Sequence, residues 1–256
     1  MPINTPVVIE IDRKTWLIQE YGLDCCYALL GDHSGLLIDT GCGRMPVRKL
    51  AERLFEGRPY DVVLTHGHAH HGCGAKQFEA VYCAEELCGK PTDDHICEDF
   101  SEPSFSFAEK NTEILSLFTG DVFDLGGREV LCIRTPGHSE GCCSFYDKQS
   151  GIAFVGDSCG RVLKVSCVAD ALTGLMLLKR MCPNMNRIYP GHVDYTDYRA
   201  LPAAVLDDAI GACRAALAPD GRHYHQEGKV VFRSVTLEYE QGWAELEPHS
   251  PYPLGL

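Results

Sequence analysis

The chain has 256 residues, 45% of them hydrophobic and 23% charged, so it can bury a substantial core and has the composition of a globular protein. Its formal net charge of −13 argues against nucleic acid or an anionic membrane surface as a partner. It has neither an apolar run long enough to span a bilayer nor the features of a signal peptide, so we expect a cytoplasmic protein.

The fourteen cysteines are scattered and include two adjacent pairs, Cys25-Cys26 and Cys142-Cys143. None of them forms a CxxC motif, which argues against a zinc ribbon or a thioredoxin-type site. We therefore predict reduced, mostly buried thiols that pack as small hydrophobic side chains.

The first third of the chain alternates strand patterns with turns and contains one clear helix pattern. Short β-type runs (VVIEI, TWLIQEY, CCYALLG) lead to LLIDTG, which ends at Gly41. A helix is predicted over 46–57, with Pro46 in its first turn and Gly57 after its end. YDVVLTH is predicted to be a buried strand, and AKQFEAV (75–81) a helix.

The remainder of the chain begins with an irregular segment over 89–119 and then returns to strands. CCSFYDKQSGIAFVGD is predicted to form a hairpin that turns at KQSG. The other predicted elements are strands in DVFDLGG, REVLCIRTPGH and NRIYPGH, helices over 169–181 and 201–218, and a β-like stretch over 228–240. No linker or repeat is visible, so we predict a single mixed α/β domain over residues 1–256.

The stretch LTHGHAHHGCG (64–74) contains four histidines: His66, His68, His70 and His71. In an extended segment, residues two apart point to the same side, so His66 and His68 can present their rings together at the end of the YDVVLTH strand. Neutral imidazole is a preferred ligand of zinc and iron. A loop of individually hydrogen-bonded histidines is the alternative, and the crowding argues against it.

Three further candidates each follow an apolar strand at a glycine turn. His138 lies in TPGHSEG, Asp157 in FVGDSCG and His192 in IYPGHVDY. Strand-to-loop junctions commonly display functional groups. Together with the histidine cluster, these residues form a set of candidate metal ligands.

The order DTG, HxHxxH, PGH, GD and PGH, spread over residues 39–192, resembles that of the metallo-β-lactamase superfamily. The resemblance implies an α/β fold, a four-layer αββα sandwich of two mixed β-sheets flanked by helices, with one or two Zn²⁺ ions, or iron or manganese, at one edge. It implies that His66, His68 and His138 hold the first ion. It further implies that His71 and His192 hold the second, that Asp157 bridges the two, and that Asp39 has a supporting role.

His70 departs from the superfamily pattern, which is HxHxDH with an aspartate at this position. The exchange removes one negative charge from the site and an aspartate that can pass a proton to the leaving group. Either His70 binds a second ion, or the site holds a single one. We favour the dinuclear site because imidazole suits zinc and iron.

This ligand set predicts a metal-dependent hydrolase, in which a metal-activated hydroxide attacks an ester, thioester, lactone or related bond of a small molecule. Asp157 and His70 are the candidate catalytic residues. Lactonases of the superfamily often carry a tyrosine three residues after the bridging aspartate, and Gly160 in that place argues against this activity. Tyr195 is read as an ordinary loop tyrosine, and we assign no site role to Cys42, Cys73 or Cys159.

Three alternatives remain open. GHSEG also fits GxSxG, with Ser139 as the nucleophile of a serine α/β-hydrolase and partners drawn from Asp157, Asp194, His192 and His223, although the predicted hairpin after it does not suit that motif. A mononuclear iron centre would suit a sulfur dioxygenase-like enzyme of the same fold. A non-catalytic metal-binding or sensing protein is the third. The choice of substrate depends on residues 85–119 and on the tail with His223 and His225. Neither the identity of the substrate nor the oligomeric state follows from the sequence.

Overall fold

A computed structural model describes residues 6–20, 24–84, 112–192, 198–218 and 228–241. The strands of these residues are β1 Val7–Asp12, β2 Thr15–Glu20, β3 Asp24–Leu30, β4 Gly35–Ile38, β5 Tyr60–Val63, β6 Ala80–Ala84, β7 Glu113–Leu117, β8 Val122–Asp124, β9 Glu129–Arg134, β10 Cys143–Asp147, β11 Ile152–Gly156, β12 Val162–Cys167, β13 Arg187–Pro190, β14 Leu201–Pro202, β15 Gly228–Phe232 and β16 Val235–Gln241. The helices are α1 Val47–Leu54, α2 Ala69–Gly72, α3 Val168–Met181 and α4 Ala204–Ala216, and Cys73–Gln77 forms a 3₁₀ turn.

Two large mixed sheets form the centre of the fold. The first has the strand order β1-β2-β3-β4-β5-β6-β7, antiparallel up to β4 and parallel from β4 to β7. The second has the order β14-β13-β11-β10-β9-β8 and is antiparallel except between β11 and β13. The β10–β11 pair is the hairpin that the sequence predicts.

Strand β3 explains how one sheet is packed on both of its faces. Its seven residues are all buried. Successive side chains of a strand point to opposite faces, so Cys25, Tyr27 and Leu29 pack between the two sheets. The intervening Cys26, Ala28 and Leu30 pack in a separate cluster with α1. A strand with such surroundings is a continuous apolar run rather than an alternating one.

Helices cover the outer faces of both sheets. Val47, Ala51 and Phe55, in and just after α1, pack on the outer face of the first sheet. On the second sheet, α3 and α4 bury a third cluster that includes Leu175 and Leu206. The layers therefore run helix, sheet, sheet, helix, and the predicted four-layer αββα sandwich is confirmed.

A small third sheet, in the order β12-β16-β15, was not predicted. β12 pairs in parallel with β16, and β16 pairs with β15 as a hairpin. Leu163, Leu237 and Tyr239 from this sheet pack in the cluster beneath α3 and α4. The β-like stretch of the sequence over 228–240 is thus a hairpin that holds β12.

Two elements differ from the sequence prediction. Residues 75–81 were expected to be helical, but only the 3₁₀ turn is present there, and the chain enters β6 at Ala80. The irregular segment was expected to reach residue 119, but Glu113 already begins β7. β6 and β7 pair in parallel with each other, and this partnership overrides local propensity. Residues 89–111 of that segment lie outside the described residues.

The predicted helices are present with small changes at their ends. Pro46 caps the N-terminus of α1 rather than occupying its first turn, and Gly57, with a φ of 76°, lies beyond its end. Among the described residues, the longest helix is α3, with 14 residues, and none of these helices has the length and apolar character needed to cross a membrane.

The twelve cysteines within the described ranges are thiols, and ten of them are buried. This agrees with their predicted use as small apolar side chains. Cys42 and Cys73 are the two that are partly exposed.

Candidate metal centre

The seven predicted ligands follow strands of both large sheets and lie in loops or, for His70 and His71, in the short helix α2. β5 leads to the cluster from His66 to His71, and β9, β11 and β13 lead to His138, Asp157 and His192. Because these strands end at the same edge of the sandwich, side chains far apart in sequence meet there. The predicted ligands that the structure brings together are His66, His68, His70, His71, His138, Asp157 and His192.

Three ring nitrogens converge in a first group. His66 Nε2 lies 3.1 Å from His68 Nδ1, which lies 3.0 Å from His138 Nε2. Two nitrogens that bind one tetrahedral zinc ion at about 2.0–2.1 Å lie about 3.3 Å from each other. The spacing of these nitrogens is therefore close to that of ligands around one ion.

In His66 and His138, Nδ1 faces away from the centre, and its hydrogen-bond partner determines which ring nitrogen carries the proton. His138 Nδ1 lies 2.8 Å from the carbonyl oxygen of Lys164, which only accepts, so His138 donates from Nδ1. The Thr65 hydroxyl donates to Asp39 and lies 3.0 Å from His66 Nδ1, so His66 also donates from Nδ1. Both Nε2 atoms are consequently left as acceptors that face the centre, as metal binding requires.

Asp157 lies between the first group and a second one. Its Oδ2 lies 3.5 Å from His138 Nε2 and 3.9 Å from His66 Nε2. The same oxygen lies 3.1 Å from His192 Nε2, while Oδ1 lies 3.6 Å from His71 Nε2. The carboxylate thus faces both groups, which is the arrangement needed to bridge two ions.

The second group contains an acidic residue that the sequence analysis missed. Asp24, His70, His71 and His192 each offer one ligand atom, and these atoms lie within 4.8 Å of one another. His70 also belongs to a similar set with His66, His68 and Asp157. His70 therefore lies where it can contribute to either group.

Several buried polar atoms of the site have no hydrogen-bond partner among the described residues. They are both ring nitrogens of His70, His71 Nε2 and Asp157 Oδ1. A buried polar group without a partner is costly, and such groups in native proteins call for an ion, a water or a catalytic role. A divalent cation bound to these nitrogen and oxygen atoms would satisfy them, so the residues fit the metal that the fold implies.

The histidines are held in the form that binds metal. Burial, followed by the neighbouring imidazoles, lowers the pKa of His68 to about 4 and that of His70 to about 2. Burial also lowers the pKa of His71 to about 3 and that of His66 well below its usual range. At neutral pH these rings are uncharged and have lone pairs to donate.

The three carboxyls around the centre differ in their pKa values. Burial raises the pKa of Asp39 to about 8 and that of Asp24 to about 7. Burial acts in the same direction on Asp157, but His192 and His71 outweigh it and lower its pKa well below the usual range. Asp157 is therefore the carboxyl that is ionised before any cation binds, and a cation nearby would favour ionisation of the other two.

Asp39 supports the site through hydrogen bonds to its neighbours. His71 Nδ1 lies 2.9 Å from Asp39 Oδ2, which also accepts the hydroxyl of Thr65 at 2.8 Å. Asp39 Oδ1 accepts the backbone N–H of Thr65 at 2.7 Å. Asp39 thus orients His71 directly and His66 through Thr65, which gives a physical basis for the supporting role expected of it.

The Asp39→Asn variant is expected to bind metal about 10–100-fold more weakly, because the ring of His71 loses its anionic acceptor. The measurement is competition with a chromophoric chelator. Asp61→Asn, the same substitution at an exposed position of β5, should leave the affinity unchanged. Equal affinities for Asp39→Asn and the unmodified protein would contradict this role.

The third sheet holds the loop that carries His138. In β12, the backbone N–H of Ser166 donates to the Gly137 carbonyl at 2.8 Å, and the Ser166 hydroxyl donates to the His138 carbonyl at 3.0 Å. The Lys164 carbonyl that accepts from His138 lies in the same strand. The C-terminal hairpin of β15 and β16 therefore positions a metal ligand through β12.

Gly191, next to His192, is required by the close packing of the centre. A Cβ atom at this position would lie 2.6 Å from Asp157 Oδ1 and 2.6 Å from His71 Cε1. A side chain here would push apart two of the candidate ligands.

The alternative nucleophile Ser139 lies in a turn between β9 and β10, two strands of the same sheet. The nucleophile elbow requires a strand that leads into a helix, so this context is missing here. The Ser139 hydroxyl lies 3.1 Å from Cys142 Sγ. The possible partners Asp194 and His223, as well as Tyr195 and His225, lie outside the described residues.

The cysteines beside the ligands have different surroundings. Cys42 Sγ donates a hydrogen bond of 2.9 Å to Asp24 Oδ2, so this thiol contacts the site although we had assigned it no role. Cys159 is buried in the hydrophobic cluster under α3 and α4. Cys73 is partly exposed in the 3₁₀ turn.

Comparisons with known proteins show what this chain is similar to. A model of the metallo-beta-lactamase superfamily matches residues 25–164. The hydroxyacylglutathione hydrolase of Cereibacter sphaeroides is 28% identical over 192 residues, which cover 70% of this chain and 69% of that protein. The human acyl-coenzyme A thioesterase MBLAC2 is 30% identical over 156 residues, 50% of this chain and 55% of that protein.

A solved structure of similar fold is the metallo-beta-lactamase from Pontibacter korlensis. It superposes with a TM-score of 0.61 at 18% identity and covers 82% of this chain and 99% of its own. At this identity the similarity shows a shared fold and nothing further.

Proposed function

This chain belongs to the metallo-β-lactamase superfamily, and on that basis we propose that it is a metal-dependent hydrolase that cleaves a thioester or related acyl bond of a small molecule. The observation that carries the proposal is the convergence of six histidines and Asp157 at one edge of the sandwich. Both ring nitrogens of His70 and Nε2 of His71 are buried there without a hydrogen-bond partner among the described residues. Hydrogen-bonded core histidines would not leave such atoms unsatisfied.

The ligand set supports zinc as the metal, in a dinuclear arrangement. Imidazole nitrogen and carboxylate oxygen are preferred donors for zinc, although iron and manganese accept the same atoms. In this proposal His66, His68 and His138 hold one ion, His71 and His192 hold the other, and Asp157 faces both. His70 lies between the two groups and is free to contribute a nitrogen to either.

When bound, divalent ions supply Lewis acidity, which acidifies a water molecule and polarises the acyl oxygen. The protein supplies the positioning of that water and the transfer of its protons. Asp157 Oδ1, ionised and without a partner among the described residues, can accept a proton from the attacking water. His70 is a neutral ring at neutral pH, so its N–H can donate a hydrogen bond to the departing sulfur or oxygen but not a proton. The departing group would leave as the anion or take up the proton that Asp157 accepted.

The candidate ligands differ in their exposure to solvent, and the difference indicates where substrate could approach. The His66 and His71 side chains are fully buried, whereas the side chain of His192 is 31% exposed and that of Asp157 12%. We therefore propose that the acyl group approaches from the side of His192. The net charge of −13 disfavours a polyanion such as nucleic acid as the substrate.

The names of the relatives support a thioester. Hydroxyacylglutathione is an acyl conjugate of a thiol, as is an acyl-coenzyme A. A thioester has an activated carbonyl and releases a thiolate, which is a good leaving group that needs no proton donor, and this suits a site in which His70 is a neutral ring. Esters and lactones present the same carbonyl chemistry.

Activity assays with S-lactoylglutathione, acetyl-coenzyme A, p-nitrophenyl acetate and a homoserine lactone, with and without a chelator, test the proposal. We expect turnover of at least one thioester, loss of activity on chelation and recovery with Zn²⁺. Metal content by mass spectrometry should show zinc. Protein that has not been incubated with any substrate is the matched control for the measurement of metal content.

Other outcomes would favour the alternatives. Activity that resists chelation and is blocked by a serine-reactive phosphonate would favour Ser139. One iron per chain and oxygen consumption with a persulfide would favour the sulfur dioxygenase-like enzyme. Bound metal without any turnover would favour a metal-binding or sensing protein.

A further inference from the structure

Asp24 is held next to His192 by the backbone. Asp24 forms an isolated antiparallel bridge with His192, and the N–H of Cys25 donates to the Gly191 carbonyl at 2.8 Å. The carboxylate of Asp24 is buried, and its Oδ1 lies 3.3 Å from His192 Nδ1. The backbone therefore places the first residue of β3 beside the loop after β13, although β3 and β13 belong to different sheets.

The other three members of the second group are imidazoles. His71 is fully buried and His70 is 7% exposed. His70 and His71 each have at least one ring nitrogen without a hydrogen-bond partner among the described residues. Asp157 faces both groups and would be shared between two ions. Asp24 is the member of the second group that adds a carboxylate of its own.

The second oxygen of Asp24 is already engaged. Oδ2 accepts the hydrogen bond from Cys42, which lies in the loop after β4. Glu20 anchors that loop, because its Oε1 accepts the backbone N–H groups of Arg44 at 2.7 Å and Met45 at 2.5 Å. The carboxylate is thus fixed in one orientation, with Oδ1 on the side of the histidines.

We propose that Asp24 is a ligand of the second metal ion and supplies the carboxylate that the histidine motif lacks at position 70, with Cys42 as its positioning residue. The inference rests on the proposed function, since it requires the metal centre. The two carboxylates of a dinuclear site would then be Asp24 and Asp157, contributed by β3 and by the loop after β11. Asp24, in β3, would then supply the negative charge that an aspartate at position 70 supplies in the superfamily pattern.

The test measures metal binding rather than catalysis. Metal-free protein is titrated with Zn²⁺ in competition with a chromophoric chelator, and bound ions are counted by mass spectrometry after desalting. We expect two ions in the unmodified protein. In Asp24→Asn the second should bind about 100-fold more weakly while the first is unchanged, because loss of a carboxylate ligand costs at least as much as loss of a supporting group.

A rescue variant and a matched control sharpen the result. The double variant Asp24→Asn, His70→Asp places the carboxylate at the motif position and should bring the second ion back to within about tenfold of the original affinity. Asp32→Asn, the same substitution at an exposed position after β3, should leave both ions bound. Cys42→Ala should weaken only the second ion, by about tenfold, and reports on Asp24 even if Asp24→Asn does not fold.

Two results would overturn the inference. One is an Asp24→Asn protein, folded by near-ultraviolet circular dichroism, that binds both ions with unchanged affinity. The other is a single ion in the unmodified protein. If the unmodified protein binds two ions and hydrolyses a thioester while Asp24→Asn keeps both, only the role of Asp24 fails. If the unmodified protein binds none, the proposed function fails as well.

Discussion

Replacement of His66 or His138 by alanine is expected to remove the first ion and to lower kcat/KM by about 10⁴-fold, equivalent to about 5 kcal/mol of transition-state stabilisation. Both rings direct Nε2 toward His68 Nδ1, and each is fixed through Nδ1 in the orientation that a ligand requires. Metal content after desalting and steady-state kinetics with the best substrate from the assays provide the measurement.

The control for this prediction is His33→Ala, which removes an exposed histidine outside the cluster. It should keep the full metal content and the activity of the unmodified protein. Thermal denaturation of the metal-free proteins separates loss of a ligand from loss of the fold. Full activity in either the His66 or the His138 variant would show that the first group is assigned wrongly.

The Asp157→Asn variant is expected to weaken both ions and to reduce kcat/KM by at least about a thousandfold, or about 4 kcal/mol. The carboxylate contacts His66, His138, His71 and His192, and it is the group that can accept the proton of the attacking water. Asparagine keeps the shape but has no charge to attract two cations. Titration with Zn²⁺ and kinetics at saturating metal distinguish weaker binding from slower chemistry.

Asp170→Asn, at an exposed position in the first turn of α3, is the matched control and should change neither property. If saturating Zn²⁺ restores the full rate of Asp157→Asn, the carboxylate binds metal but does not handle the proton. If the affinity for both ions is unchanged, Asp157 does not bridge them, and the two groups are independent.

The missed features of the fold share one physical origin. The helix expected over 75–81 gives way to β6, because β7 offers a parallel partner that no local pattern reveals. The alternating burial of β12 has the period of a strand, but the partner that stabilises it, β16, comes from the end of the described chain. Pairing over long sequence distances decides such segments.

The sequence by itself predicted the candidate ligands, and its resemblance to the superfamily predicted the layers. His66, His138, Asp157 and His192 each follow an apolar run at a glycine turn, and this local signal is enough to place them at strand ends. The continuous apolar run of β3 indicates a strand covered on both faces, and the hairpin at KQSG depends on adjacent residues only. Where the neighbours in sequence are also the neighbours in space, the amino-acid pattern suffices.

Only the tertiary structure decided how the ligands are grouped and supported. Asp24 has no sequence signal, because its meeting with His192 depends on the bridge between β3 and the loop after β13. The hydrogen bonds that join Thr65 and His71 to Asp39, and so orient the rings of His66 and His71, likewise depend on contacts between separate strands. The same is true of the hydrogen bond between His138 and β12. Such contacts form only when two sheets pack face to face, which places atoms from remote segments within hydrogen-bonding distance.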